Sequence, residues 1–558
     1  MNTMMKSAFV LISALTLSGQ AYAARYMVVF KDKNVFQQTH VQMMAKQMPL
    51  ASVRIQNGSK YSMPFAQTND VNVEDSFQHL NTLVVDAADE QALAALQASG
   101  AVAFVEKEVF HPAPKPVQGF TRSQAWDYSL AYAVDAKGGV GAKTPWGINA
   151  VKAPAVWATG NEGQGSRVLV LDTGIDKEHP ALKANFEKAK DFSGSGAGLP
   201  YPEADVVGHG THCAGTIAAA FDADGFAGVA PQAKLLAGKV CSEQGCSNVA
   251  VTAGINWGIQ EKVDVISMSL GGPFATAAEK RAAEAAELAG ITIVAASGND
   301  GQPRVSYPAA FPTVLAVGAI NDKVQKTDFS NWGPELDIVA PGAGVVSSVP
   351  VGSGRESRVL AGAPGKEVLV KSTSFQGAPD IAQPTSNDLV FAGLGKPEDF
   401  QTANVRGKFA LVSRGEIAFA DKVTNAIAAG AAGVVIFNNA PGLIQGAITQ
   451  DGSTVAIPVV MIEQVVGEQL KGEVTRGQTA RAVIQTMKTD YAAFDGTSMA
   501  TPHVSGVVAL MKSAKRTATP LQIRDTIKAT ATAMTPNDQN QHGAGLINAE
   551  AAVAAIAK

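Results

Sequence analysis

Three short segments of this chain carry an acid, a histidine and a serine in settings that suit nucleophilic chemistry. In the first, Val170-Leu171-Asp172-Thr173-Gly174-Ile175-Asp176, Asp172 closes a fully apolar run that begins at Val168. The carboxyl end of a buried strand is where open α/β sheets gather their active sites, although an isolated Asp there could equally cap a helix. The second segment runs from Asp205 to Gly215 and contains Gly208-His209-Gly210-Thr211-His212-Cys213. The two glycines leave room around His209, a helix is predicted over Thr211–Ala220, and an imidazole with a pKa near neutrality is the usual general base. His209, His212 and Cys213 could also serve as metal ligands, but no acidic partner or supporting shell accompanies them, and His212 reads as a buried structural histidine. In the third segment, Thr497-Ser498 stands just before a predicted helix whose core face carries Val504, Val507, Val508 and Met511, with Pro502 expected in the first turn. A serine there exposes its hydroxyl and lets nearby N–H groups face developing negative charge; a plain N-cap is the competing reading.

His209 follows Asp172 by 37 positions, and Ser498 follows His209 by 289. Taken in this order, the three segments resemble the subtilase family, whose subtilisin members carry Asp, His and Ser in the same sequence. The resemblance implies that Ser498 is the nucleophile, that His209 takes and returns its proton, and that Asp172 orients the imidazole and stabilises its cationic form. Ala295-Ala296-Ser297-Gly298-Asn299-Asp300 resembles the oxyanion-hole segment, which assigns Asn299 and the Ser498 N–H as donors. Ser269-Leu270-Gly271-Gly272 resembles the edge that pairs with an extended substrate backbone. Together with Ala296, Ser297 and Gly298 it would wall a first specificity pocket, with Ser306 at the floor and Asp300 at the mouth, for large apolar or varied side chains. No cofactor is required for this chemistry.

Two departures stand out. Many subtilases bind a structural calcium through a loop after the histidine helix and an aspartate after His-Pro. Here Asp222 and Asp224 supply loop oxygens, but Ala181 follows His179-Pro180, so the site is weakened or absent and an acidic solvated turn is an equal reading. Cys213 resembles a buried thiol found in a subset of the family, which implies sensitivity to mercurials rather than a catalytic role.

The elements that must position these residues are legible as an alternation of buried strands and helices. Strands are predicted at Val168–Leu171, Val263–Met268, Ile291–Ala296 and Val314–Val317, with a helix over Thr276–Ala289. That rhythm gives an α/β class, a subtilisin-like parallel sheet flanked by helices, over 144–351 and 488–558. The intervening 352–487 has its own strands (Phe409–Val412, Gly433–Phe437, Pro458–Met461) and a helix over Phe419–Ala429. It reads as an inserted α/β domain, and Val405–Gly415 onward to Met461 resembles a protease-associated (PA) domain, which in relatives borders the cleft and influences substrate access. Residues 24–112 form a small α+β module with strands at Tyr26–Phe30, Asn81–Val85 and Ala101–Val105 and a helix over Asp89–Ala98. It resembles an inhibitor-type propeptide, the alternative being an independent N-terminal domain. Residues 113–143, rich in Pro and Gly, form a linker expected to hold the maturation site.

Residues 1–23 combine Lys6, an apolar run from Ala8 to Leu17, and Ala21-Tyr22-Ala23, the parts of a signal peptide in order, against the alternative of a buried helix. The expectation is a secreted protein, extracellular or periplasmic, made as a self-inhibited precursor and acting on proteins or peptides. No membrane anchor is read, and a monomer is the default. At a net charge of -4 the chain has no footprint for nucleic acid. Of three cysteines, Cys241 and Cys246 flank a four-residue turn and could close a small loop, leaving Cys213. A catalytically inactive subtilase acting as a binding protein is the rival function. Intact Asp172, His209, Asn299 and Ser498 argue against it, and intact His209 argues against an acidic relative with Glu in its place.

Overall fold

The computed structural model describes residues 24–37, 71–87, 91–98, 100–114, 144–221, 226–440, 443, 448–449 and 453–558. The expected signal peptide, most of the linker, and the calcium candidates Asp222 and Asp224 lie outside these residues. The chain divides into two compact units, Met1–Glu108 and Val109–Lys558.

In the first unit, Tyr26, Val28 and Phe30 alternate on one face of a strand and meet Leu83, Val85, Leu93 and Ala101 in a small core. The antiparallel sheet has the order Val71–Phe77, Thr82–Ala87, Ala24–Phe30, Val102–Lys107, with a helix at Gln91–Ala98. Val71–Phe77 escapes sequence reading because it is an edge strand of mixed polarity, with a register shift between Val73 and Asp75.

The second unit is built on a seven-stranded sheet, every neighbouring pair parallel, in the order Ile338–Pro341, Val314–Ile320, Thr292–Ala296, Val265–Met268, Arg167–Asp172, Lys234–Lys239, Phe186–Asp191. From Arg167–Asp172 the chain first builds one side of the sheet and then crosses to build the other. Asp172 therefore ends a strand at the topological switch point, where a crevice forms outside the carboxyl ends. The helix Thr497–Ala514 is buried from Thr497 through Lys512, and that full enclosure explains its nearly continuous small and apolar sequence.

The insert leaves and re-enters the peptidase unit along paired strands. Val345–Ser348 pairs antiparallel with Tyr491–Phe494, and Gly354–Gly362 pairs with Arg481–Thr489. This neck returns the chain beside its point of departure, so the 289 positions between His209 and Ser498 impose no separation in space. The insert's eight-stranded sheet has separate cores around Val412, Val434 and Ile436 and around Leu411, Val435 and Phe437, as alternation along buried strands requires. Its long strands Gly354–Gly362, Ile381–Phe391 and Arg481–Thr489 lack the short apolar runs that mark strands in sequence.

Two local expectations are corrected. The histidine helix begins at His209 itself and ends at Ala218, rather than running over Thr211–Ala220. The serine helix begins at Thr497, so Ser498 lies within its first turn and Pro502 inside the helix rather than in its opening turn.

Candidate active site

Asp172, His209 and Ser498 sit on three elements that converge above the sheet, and all are buried: Asp172 and His209 at 0% exposure and Ser498 at 6%. The Asp172 Oδ1 accepts from His209 Nδ1 at 2.8 Å and from the Thr173 N–H at 2.7 Å. With its Nδ1 proton so engaged, the imidazole presents Nε2 as a free acceptor, and Nε2 has no partner among the described residues. Burial pulls the His209 pKa down, but the Asp172 carboxylate outweighs it and holds the group well above its ordinary value.

Asp205, which opens the histidine segment, ties the first two segments together. Its Oδ1 accepts from Thr173 Oγ1 and the Gly208 N–H, its Oδ2 from the N–H and Oγ1 of Thr211, and Thr173 Oγ1 accepts from the Gly210 N–H. The strand end and the helix start are thereby locked to one carboxylate.

Ser498 Oγ donates to the Ser269 carbonyl at 3.0 Å, while Ser269 Oγ donates to the Ser498 carbonyl at 2.8 Å. The internal Pro502 explains the second bond. Proline has no N–H, so the Ser498 carbonyl lacks its intrahelical donor and turns instead to Ser269 and to the Cys213 thiol at 3.5 Å.

Asn299 is oriented by Thr497, whose N–H and Oγ1 both donate to Asn299 Oδ1, at 2.8 and 2.9 Å. Its Nδ2 is thus turned toward the Gly496–Ser498 turn, where a Cβ at Gly496 would lie 3.5 Å from it. Behind it, Gly298 adopts φ +108°, and a Cβ there would collide with Asn331 Nδ2 and Ser306 Oγ. Ser306 therefore lies beside Gly298. Asn331, fully buried and unread in the sequence, joins them: its Oδ1 accepts from the N–H groups of Asp300 and Gln302 at 3.0 Å each, and its Nδ2 donates toward Asp300 Oδ2 at 3.4 Å and Ser306 Oγ at 3.5 Å. No local pattern marks Asn331. The Ser269–Gly272 segment runs on from the strand Val265–Met268, and Gly272 exchanges backbone hydrogen bonds with Tyr307. Ala296 and Ser297 are buried at the end of the next strand.

Among the described residues, the one cluster with metal-ligating geometry is Asp172, His209 and Cys213. His212 stands outside it. Its Nε2–H donates to the carbonyls of Val345 at 2.9 Å and Ala492 at 3.2 Å, its ring stacks on Phe494, and burial pushes its pKa down to about 3. Burial raises the Cys213 pKa and keeps it a thiol, a poor metal ligand. At the expected calcium position, the buried Ala181 offers no carboxylate, and its N–H donates to His179 Nδ1.

A disulfide joins Cys241 to Cys246, and Cys213 is free. The bridged hairpin, Cys241–Ser242 with Gly245–Ser247, pairs on its outer side with Phe110–His111. No helix among the described residues is long and apolar enough to cross a membrane.

Comparison with known proteins accords with this geometry. Residues 163–362 match the model of the subtilase family, and residues 378–470 match that of the PA domain. The chain is 36% identical to subtilisin E of Bacillus subtilis over 286 residues, covering 50% of this chain and 67% of that protein. It is 42% identical to a subtilisin of Bacillus pumilus over 214 residues, covering 38% and 76% respectively. The crystal structure of the psychrophilic subtilisin-like protease Apa1, from the Antarctic psychrotroph Pseudoalteromonas sp. AS-11, superimposes with a TM-score of 0.52 at 29% identity, covering 74% of this chain and 97% of that one.

Proposed function

This chain belongs to the subtilase family as a serine endopeptidase with an inserted PA domain, and on that premise we propose that Asp172, His209 and Ser498 are its catalytic triad. The observation that carries the reading is the buried His209–Asp172 hydrogen bond, with its imidazole Nε2 left free as an acceptor. Ser498 Oγ turns from the Ser269 carbonyl toward His209, loses its proton to Nε2 and attacks the substrate carbonyl. Asp172 stabilises the imidazolium so formed, and Asn299 Nδ2 and the Ser498 N–H receive the oxyanion. His209 then passes its proton to the leaving amine, and water, activated by the same imidazole, releases the acyl group. No cofactor takes part.

An extended substrate joins the Ser269–Gly272 edge by strand addition, with the Gly298–Ser306–Asn331 region forming the first specificity pocket. The protein is exported by residues 1–23 and held inactive by residues 24–112 until the linker over 113–143 is cut. Support for the inhibition comes from Phe110–His111, which occupies the outer edge of the Gly245–Ser247 strand as an extended peptide would.

The test follows intact mass after refolding of wild type and Ser498→Ala. Loss of roughly the first 110 to 143 residues by the wild type alone is expected for a self-processing precursor. Equal persistence of both chains, with no cleavage of added peptides, would overturn the reading.

A further inference from the structure

His111 is buried, at 3% exposure, and its Nε2 lies 2.9 and 3.0 Å from the two carboxylate oxygens of Glu279, itself at 0% exposure. Glu279 stands in the first turn of the helix Ala277–Leu288. Thr276, the N-cap, receives the Glu279 N–H on its Oγ1 and donates that hydroxyl to Glu279 Oε2 at 2.7 Å. The helix N-terminus and this hydroxyl both face the carboxyl group, and a carboxylate this deeply enclosed requires a cationic or strongly donating partner. On its other side the imidazole rests against Gly272, where a Cβ would come within 2.5 Å of Nδ1. The backbone of His111 meanwhile pairs with Cys246. The side chain thus fills a pocket between the Gly245–Ser247 strand, Gly272 and Glu279, three residues along the edge from the Ser269 that contacts Ser498.

We infer that this pocket is a specificity subsite for a basic side chain, with Glu279 as its recognising residue and His111 as its internal occupant. The inference rests on the endopeptidase reading above and deepens it. A segment held on that edge in the manner of a substrate shows which chemistry the pocket accepts. Departure of the tail uncovers a preformed carboxylate, and the substrate chemistry that satisfies it is Lys, Arg or protonated His. His111 precedes the linker expected to hold the maturation site, so the subsite reads a position on the amino side of the bond cut. This selectivity is separate from the first specificity pocket at Gly298, Ser306 and Asn331.

The test profiles the self-processed enzyme against a peptide library randomised on the amino side of the scissile bond. Wild type should enrich Lys, Arg or His at one position. E279Q should lower the kcat/KM ratio of a basic peptide to its leucine counterpart by about tenfold or more, the scale of a charged hydrogen bond. E279L should shift the preference at that position to apolar residues, a gain that a misfolded protein cannot display. An unselective wild-type profile, or one that neither variant changes, overturns the assignment. Hydrogen exchange in the uncut full-length S498A chain reads the pocket without catalysis. E279Q introduced there should speed exchange in the Gly245–Ser247 strand, and an unchanged rate overturns the assignment whatever the library shows. Failure of the endopeptidase reading is distinct: no peptide of any kind is cut, while the exchange response to E279Q persists.

Discussion

Ser498 and Ser269 exchange two hydrogen bonds, hydroxyl to carbonyl in each direction, across 229 positions of sequence. The reciprocal pair holds the proposed nucleophile against the proposed substrate edge and satisfies a carbonyl that Pro502 deprives of its helical donor. The serine is therefore anchored to the segment that continues the strand Val265–Met268, and the proposed mechanism requires release of that bond before the hydroxyl aligns with His209.

Removing one side of the exchange should be felt in stability. Ser269→Ala leaves the Ser498 carbonyl with the weak Cys213 thiol as its remaining side-chain donor, which costs about 1–2 kcal/mol. Urea unfolding of the full-length S498A and S498A/S269A chains, where autolysis does not interfere, measures it as a lowered midpoint at constant slope.

Asn299 and Thr497 should act as one unit. In subtilisin itself, loss of the oxyanion-hole asparagine costs about 10²–10³ in kcat, and Asn299→Ala should fall in that range with little change in KM. Thr497→Val removes a hydroxyl that fixes Asn299 Oδ1 and should lower kcat by about tenfold. In a double-mutant cycle the two losses should combine to less than their product, because Thr497 acts through Asn299.

Activity should rise with pH through the His209 titration. The general base works when neutral, and Asp172 raises its pKa well above 6.5 in the free enzyme. The acid limb of kcat/KM should therefore lie above 6.5, with activity lost as falling pH protonates the imidazole. Asp172→Asn should abolish most activity and move the remaining limb to lower pH.

Docking of the His111 segment should weaken as pH rises. Burial lowers the His111 pKa, but the hydrogen bond and charge of Glu279 outweigh it, and the net shift is upward. A pKa raised in the docked state contributes stability that is complete below the free value of 6.5 and lost as pH rises through the docked one. In the full-length S498A chain, exchange at the Gly245–Ser247 strand, corrected for intrinsic rates, should be slowest in mild acid and accelerate toward alkaline pH. Replacing His111 by Gln should flatten the profile.

Cys213 Sγ lies 3.9 Å from His209 Nδ1 in a fully buried site. A mercurial bound there would displace the imidazole from Asp172, so the wild type should lose activity on titration with an organomercurial. Cys213→Ala should resist it, with activity on a peptide substrate as the readout.

The chemistry-bearing segments and the class of fold are legible in the sequence alone. Asp172 at the end of an apolar run, His209 between glycines and Ser498 before an apolar helix are local patterns, and buried parallel strands advertise themselves as short apolar runs. The insert was legible for the same reason, through a break in that rhythm, although its mixed-polarity strands were not. Which side chains hold those segments in place follows only from the folded arrangement. Asp205 bridging Thr173 to Thr211, Asn331 behind Gly298, Thr497 on Asn299 and Glu279 on His111 all depend on which elements become neighbours. Local periodicity records which face of an element is buried. It carries no record of which distant donor will meet a given acceptor, because that pairing is set by strand order and by the paths of the loops between them.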